Sequence, residues 1–302
     1  MNIPIQFFTR TLALLAWLLA GQAVAQAGSA VITISEGPVQ IVRGVNRSPA
    51  PAGVKLRAGD ILMVDAAGFL RIESDDGLRV DFGPDARALW LPKPPPKSSS
   101  RLLYLQSGLL KISAPVPRGA TPLAFITPML DIDEATVIVL AQGSDKVSVF
   151  AETGAIKGRE RAGAPGGEGA LSLKQGEFLS RAGDKKTPAS ARPSTEFIGR
   201  LPRPFLDTLP ARYAEFAKRE VALKAGPAVS YEDVQGWLQG EPGLRRDLMS
   251  RWQPRASDPA FKAALVSNLK LHPEWERFLF PERFRPQPAA GQYPVSPGRS
   301  SK

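Results

Sequence analysis

Residues 69–82 read FLRIESDDGLRVDF, and this stretch sets the fold class of the first half of the chain. Apolar and charged residues alternate on both sides of Asp75-Asp76-Gly77, which is the pattern of a half-buried β-strand. The Asp-Gly pair favours the positive φ of a tight hairpin turn. The stretch therefore predicts two antiparallel strands with Arg71 and Asp81 on their polar face.

Short runs of the same kind continue from residue 30 to about residue 180, separated by Gly, Pro and Asp. The further runs are 39–43, 60–64, 86–90, 102–105, 109–113, 123–127, 136–140, 146–150, 171–174 and 177–180. About a dozen short strands at regular spacing predict a sandwich, a barrel or a solenoid. The Pro-rich stretch 92–100 and the Gly-rich stretch 163–169 predict exposed loops, because neither suits a strand.

Eight stretches of this half occur in the order found in one protein family. They are GPVQIVRG (37–44), LRAGDIL (56–62), GFLRI (68–72), DDGLRVDFGP (75–84), LQSGLLK (105–111), FITP (125–128), VSVF (147–150) with Gly154, and LKQGE (173–177). In this order, over residues 30–182, they resemble the FecR domain, a periplasmic β-rich module of bacterial sensor regulators and many envelope proteins. The resemblance implies a roll, solenoid or sandwich of short strands that works as an interaction module without catalytic residues.

The chain departs from that family at two places. Members usually carry a Gly-Thr pair before a Phe-x-Val strand, whereas residues 131–139 here read DIDEATVIV. Sensor-type members also have a cytoplasmic anti-sigma segment and a membrane span ahead of the domain, where this chain has an export-type N-terminus. Relay of a signal to a sigma factor within one chain is therefore not expected.

The N-terminus has the features of a secretory signal. Arg10 precedes an apolar run over 12–20, and Ala23-Val24-Ala25 then places small residues where signal peptidase requires them. We predict a cleaved signal peptide over residues 1–25, export to the periplasm, and no stable membrane insertion afterwards. The alternative is an uncleaved inner-membrane anchor, since no charge follows Arg10 until Glu36.

Composition excludes several classes of site. The 302 residues include no cysteine and one histidine, so disulfides, Cys-ligated zinc and iron–sulfur clusters cannot form. The net charge is +10, but it is spread along the chain, with 19 basic and 17 acidic residues over 28–185 and 15 and 11 over 200–285. A nucleic-acid partner is not expected from so even a distribution. No cofactor is expected either.

The composition of the sequence changes after residue 182. A polar, Pro-broken stretch predicts a linker over 183–199, followed by a small helical domain over 200–285. Helical spacing of apolar residues predicts helices over 210–221, 230–238, 258–271 and 272–280. Residues 286–302, rich in Pro, Ser and Gly, predict a disordered tail.

The predicted helical domain is rich in aromatic residues, holding eleven of the chain's twenty-three. One interpretation is a small core filled by bulky side chains, since aromatics bury the most area per residue. The other is a binding surface on which exposed tryptophans stack on envelope sugars or dock a partner helix beside arginines. The candidate binding residues in that case are Trp237, Trp252, Trp275, Arg245, Arg246 and Arg251.

Candidates for chemistry are few. His272 precedes Pro273 and is predicted to cap a helix or lie at the surface rather than to act as a base. Asp131, Asp133 and Glu134 are hard-cation ligands by type, but their spacing suits a turn or strand edge better. We predict no catalytic, cofactor-binding or metal-binding residue.

Together these patterns predict an α+β multidomain protein with an all-β domain over 28–182 and a small all-α domain. The preferred hypothesis is a non-enzymatic periplasmic protein that binds another envelope or outer-membrane protein. One alternative is a peptidoglycan- or polysaccharide-binding protein that uses the aromatic domain. A carboxylate-based hydrolase is the third hypothesis, since two carboxylates suffice for glycoside hydrolysis.

Overall fold

The computed structural model describes residues 30–91, 102–114, 124–161, 168–182 and 187–285. The predicted signal peptide, the loop 92–100, most of the loop 163–169 and the tail 286–302 lie outside these residues. The protein is α+β, with strands first and short helices after them. It divides into two compact units, Met1–Pro227 and Ala228–Lys302.

Within its described residues the first unit has fifteen strands in two sheets that share one strand. The first sheet runs β1 (Val31–Glu36), β5 (Phe69–Glu73), β6 (Arg79–Phe82), β8 (Leu102–Ser113), β11 (Val137–Gln142), β12 (Lys146–Thr153), β15 (Phe178–Ala182). The second sheet runs β3 (Asn46–Pro49), β2 (Val39–Arg43), β4 (Ile61–Val64), β7 (Arg87–Leu91), β8, β9 (Ala124–Ile126), β10 (Leu130–Glu134), β13 (Ile156–Glu160), β14 (Gly169–Leu173). Neighbouring strands are antiparallel except for β8 and β9, which are parallel.

The long strand β8 turns from one sheet into the other at Gly108. Its first half pairs with β7 in the second sheet, and its second half pairs with β6 and β11 in the first. Gly108 has φ +91°, and a Cβ there would lie 2.3 Å from the backbone of Ala86. Only glycine fits this corner without strain.

The hairpin predicted from residues 69–82 is present. Leu70 pairs with Phe82 and Ile72 with Val80 across β5 and β6, and all four side chains are buried. They belong to one apolar cluster that extends across both sheets. The predicted runs all fall on strands, while β1, β3, β10 and β13 were not predicted.

A segment over residues 187–227, here called the strap, belongs to the first unit. It contains three short helices, α1 (Thr195–Gly199), α2 (Arg203–Leu206) and α3 (Tyr213–Phe216). The described part of the predicted linker, 187–199, and the first part of the predicted helical domain therefore belong to the β unit, and the unit boundary falls after Pro227.

Apolar packing explains why the strap stays on the sheet. Phe197 and Phe205 are buried in a cluster with Phe69, Leu109 and Phe178 on the first sheet. The rings of Phe178 and Phe197 lie 4.9 Å apart, a distance at which aromatic pairs attract.

The strap also differs from its predicted secondary structure. The helix predicted over 210–221 forms only the single turn of α3, and the backbone N–H of Val221 donates to Gly53 at 3.1 Å. Further on, Arg47 of β3 donates to the carbonyl of Pro227 at 2.9 Å. Hydrogen bonds to the β unit thus take the place of helix bonds that the periodicity alone would favour.

The second unit is helical. Its helices are α4 (Tyr231–Leu238), α5 (Pro242–Trp252), α6 (Pro259–Ser267) and α7 (Glu276–Leu279), joined by 3₁₀ turns. The predicted capping box of Ser230 and Asp233 and the Asp258 cap at Phe261 are both present. Helix α5 was not predicted. No helix in the described part of the chain combines the length and apolar character that a membrane crossing requires.

Candidate binding site

The three candidate tryptophans are core residues of the second unit. Trp237 is 2% exposed, Trp252 0% and Trp275 1%. None presents a face on which a sugar ring could stack, so the interpretation of exposed, ligand-stacking tryptophans is corrected. The physical reason is area: a small helical unit needs large apolar side chains to fill its core.

The three candidate arginines do not converge on a common site in this unit. Arg245 pairs with Glu274 at 2.8 Å and donates to a backbone carbonyl. Arg246 donates to Pro242 in the first turn of α5, and Arg251 lies 6.0 Å from the ring centroid of Trp252. Each is engaged within the unit.

His272 lies at the N-cap position of the 3₁₀ turn Pro273–Trp275, as predicted, but it is buried rather than at the surface, which corrects the other part of the prediction. It is 0% exposed, makes no capping hydrogen bond, and its Nε2 lies 3.0 Å from the hydroxyl of Tyr231. Gln239 donates to that hydroxyl at 3.2 Å. Burial lowers the pKa of His272 and raises the pKa of Tyr231, so both side chains are held neutral.

The acidic stretch of β10 lies at a strand pair. Asp131 pairs with Arg159 at 3.2 Å and with Arg161 at 3.3 Å, and Glu134 pairs with Lys157 at 2.9 Å. The carboxylates therefore face basic side chains of β13 and the residue after it. In the described residues no group of three or more His, Asp or Glu side chains is arranged to hold a metal ion.

The outer face of the first sheet brings together charges that the sequence analysis placed on a polar surface. Arg71, Glu73 and Asp81 are all buried, at 4%, 2% and 3% exposure. Arg71 binds both carboxylate oxygens of Asp81, at 2.6 and 2.7 Å. Next in register, Lys111 pairs with Glu152 at 2.8 Å. This row of charge pairs thus spans five strands of the sheet, with charged residues on β5, β6, β8 and β12.

The strap covers this row and is held through its backbone. The ammonium of Lys111 donates to the carbonyl of Phe205 at 2.6 Å. The carboxylate of Glu73 accepts from the backbone N–H groups of Arg212 and Tyr213 at 2.8 and 2.7 Å, and from the hydroxyl of Thr33. Such charge-assisted bonds are stronger than neutral ones.

Burial under the strap changes the electrostatics of the central pair. Burial raises the pKa of Asp81 above its usual value, although the hydrogen bond and charge of Arg71 oppose that change. Burial alone would lower the pKa of Arg71, but its bond to Asp81 and the nearby carboxylates outweigh burial and raise it. The face is thus a region of reduced polarity that still contains paired charges.

Two cavities open beside this face. One, of about 150 Å³, lies between the sheet and the strap and is lined by charged and hydroxyl side chains, among them Arg79, Lys111 and Glu152. The other, of about 290 Å³, is largely apolar and is lined by Leu78, Ala211 and the backbone of the hairpin turn. Arg79 lines both cavities.

The sequence alone did not reveal this site. Alternation correctly placed Arg71 and Asp81 on one face, but it carries no information on what covers that face. The covering residues, such as Phe205 and Leu209, follow in the chain after more than a hundred intervening residues. The strap carries no such signal, since the helical spacing of apolar residues over 210–221 predicts a helix of a separate domain.

No protein-family model matches the chain, and no curated protein matches it. Among solved structures, the chain is similar to two crystal structures described as a "putative anti-sigma factor" from Parabacteroides distasonis. One has 12% identity and a TM-score of 0.37, over 46% of this chain and 62% of the other. The second has 14% identity and a TM-score of 0.33, over 60% and 64%. This chain thus covers less than two thirds of either matched structure.

Proposed function

We propose that this chain is a non-enzymatic, FecR-like protein of the bacterial envelope that acts in the periplasm by binding another envelope protein. The observation that carries the proposal is the distribution of exposed apolar side chains. Among the described residues every large apolar side chain that is exposed lies after residue 195. These side chains are Ile198, Leu206, Val266, Leu271, Phe278 and Phe284.

The second unit offers the larger share of this apolar surface. Leu271 is 50% exposed, Phe284 47% and Phe278 41%. Exposing a phenylalanine costs free energy that a partner surface would recover, so exposed aromatics are enriched at binding sites. We therefore assign partner binding to the second unit.

The FecR-like identity of the first unit is supported by the order of its eight stretches. Their glycines fall at turns and corners of the β unit, including Gly77 in the hairpin and Gly108 in β8, both at positive φ. The stretches thus describe a fold rather than a reactive site. The signal-like residues 1–25 support export to the periplasm.

The charged groups of the β unit support a binding role over catalysis. Arg71 and Asp81 satisfy each other, and Glu73 is occupied by backbone amides. A hydrolase would need a carboxylate pair facing substrate at a defined separation. The glycan-binding alternative has lost its support in the second unit, because Trp237, Trp252 and Trp275 are buried.

The test is affinity purification of the tagged full chain from the envelope fraction, with chemical cross-linking before lysis. We expect one protein to be recovered repeatedly with the wild type and lost with Leu271→Ser and Phe278→Ser combined. Lys270→Ser, an exposed polar change in the same region, is the matched control and should retain the partner. Repeated recovery of no specific protein, or recovery that the double variant leaves unchanged, would contradict the proposal.

A further inference from the structure

One row of cross-strand neighbours on the outer face of the first sheet carries hydrogen-bond donors that have no partner among the described residues. Arg79 of β6 is opposite Ser113 of β8, Ser113 is opposite Val137 of β11, and Val137 is opposite Thr153 of β12. Residues directly opposite on neighbouring strands project from the same face. All four line the 150 Å³ cavity, and Thr208 of the strap lines it from the other side.

These donors differ from the rest of the charged face. Arg71 is bound to Asp81 and Lys111 to Glu152, so those charges are neutralised in pairs. Among the described residues the guanidinium of Arg79 has no hydrogen bond and no ion pair. The same holds for the hydroxyls of Ser113, Thr153 and Thr208. The cavity therefore presents a guanidinium and three hydroxyls that are free to bind a ligand.

A guanidinium together with hydroxyl groups favours an oxyanion as the ligand. A guanidinium offers parallel N–H groups that match the two oxygens of a carboxylate, and hydroxyls donate to the same oxygens. The cavity also has three basic residues (Arg71, Arg79, Lys111) and three acidic ones (Asp81, Glu152, Asp207), so its formal charge is balanced. A single negative charge suits such a lining better than the double charge of phosphate.

The neighbouring cavity provides space for the apolar part of such a ligand. It is mostly apolar, is lined by Leu78, Ala211 and Tyr213, and shares Arg79 with the first cavity. Glu73 also lines it, with its carboxylate bound to backbone N–H groups of the strap. Its volume of about 290 Å³ lies near the lower bound for small-molecule sites. We propose that this crevice binds a monocarboxylate with a compact apolar body, its carboxylate on Arg79 and its body against Leu78 and Tyr213.

Calorimetric titration of the full chain tests this site with 3-phenylpropanoate as the probe. We expect saturable binding that is at least about tenfold weaker for 3-phenylpropanamide, which has the same body and no charge. Inorganic phosphate should bind more weakly than the acid. Equal affinity for the acid and its amide would overturn the proposal. No binding of the acid would also overturn it, unless the carboxylate peptide used as the second probe binds.

Variants locate the binding. Arg79→Gln should weaken the acid at least about tenfold, while Arg57→Gln, the same change at an exposed arginine, should leave affinity unchanged. Ser113→Ala keeps the guanidinium and should cost a few-fold, and thermal unfolding of each variant confirms that it is folded. If Arg79→Gln and Arg57→Gln bind the acid with identical affinities, the acid does not bind in the crevice.

A second probe separates two sources of the same chemistry. The peptide acetyl-glycyl-phenylalanine carries the carboxylate and apolar body of a protein C-terminus. Tighter binding of the peptide would assign the crevice to a chain terminus, and tighter binding of 3-phenylpropanoate would assign it to a free acid. Both results support the carboxylate site if Arg79→Gln abolishes them, and failure of both probes contradicts it.

Discussion

The two units bury polar side chains by different means. The β unit places ionised groups under the strap and satisfies them with one another, as in the pair of Arg71 and Asp81. The helical unit buries Trp237, Trp252 and Trp275 and keeps its buried titratable groups, His272 and Tyr231, neutral. A sheet offers neighbouring strands in register, so a charge finds its partner directly opposite. A small helical unit has no such ladder and fills its interior with aromatic area instead.

Removing an aromatic core residue from the helical unit should have the largest effect. Trp252 is fully buried, so Trp252→Ala should cost free energy of unfolding at the upper end of about 3–5 kcal/mol. Hydrogen exchange of residues 228–285 should show loss of protection. Phe284→Ala, at a side chain that is 47% exposed, should change stability by no more than about 0.5 kcal/mol. Similar losses for both variants would contradict an aromatic core.

Breaking the buried ion pair tests whether the β unit depends on pairing its buried charges. Arg71→Met leaves the carboxylate of Asp81 buried without its cation and should cost about 3–5 kcal/mol in urea unfolding. The double variant Arg71→Met with Asp81→Leu should recover most of that loss, because both charges are gone. Arg203→Met, at an exposed pair with Asp207, should have no measurable effect. A double variant as unstable as the single one would show that the pair itself is required.

A smaller effect is expected at the corner of β8. Gly108→Ala forces a side chain into a left-handed conformation and against the backbone of Ala86, which should cost about 1–3 kcal/mol. Gly199→Ala, where a Cβ would meet open space, is the matched control. Unfolding midpoints in urea measure both, and equal midpoints would show that the corner tolerates a side chain.

The smallest effect follows from pH. Burial lowers the pKa of His272 below 6.5, so the unfolded chain binds a proton more readily than the folded one. Stability of the helical unit is therefore retained above pH 6.5 and should fall as the pH drops below it, by at most about 1.4 kcal/mol per pH unit. The groups coupled to it are Tyr231, Glu274 and Arg245.

His272→Gln provides the control for this pH dependence. Glutamine can still hydrogen-bond to Tyr231 but does not titrate, so the loss between pH 6.5 and 5 should disappear. Because His272 is the only histidine of the chain, no other imidazole contributes. A pH profile identical for the variant and the wild type would contradict the assignment.

Local sequence patterns were sufficient to predict the elements whose geometry depends on a few consecutive residues. The hairpin of residues 69–82 and the capping box at Ser230 were predicted because turn and cap geometry depend on a few consecutive residues. Helix α5 was missed because it begins without a side-chain cap and buries only Leu248 and Trp252.

Features that depend on distant parts of the chain were not predictable. The burial of Arg71 and Asp81 depends on a strap that follows more than a hundred residues later. The burial of His272 depends on Tyr231, forty-one residues away, whose hydroxyl lies within hydrogen-bond distance of the Nε2 of His272. The binding crevice at Arg79 shares this origin, since its far wall is formed by the strap.

The shared strand β8 has a mechanical consequence. Its two halves are central in both sheets, so neither sheet can peel away while the other stays intact. A protease cut or a pulling force that releases this one strand would remove the middle of both layers together. We therefore expect the fifteen strands to rupture as a single block, with no half-open form in which one layer survives alone.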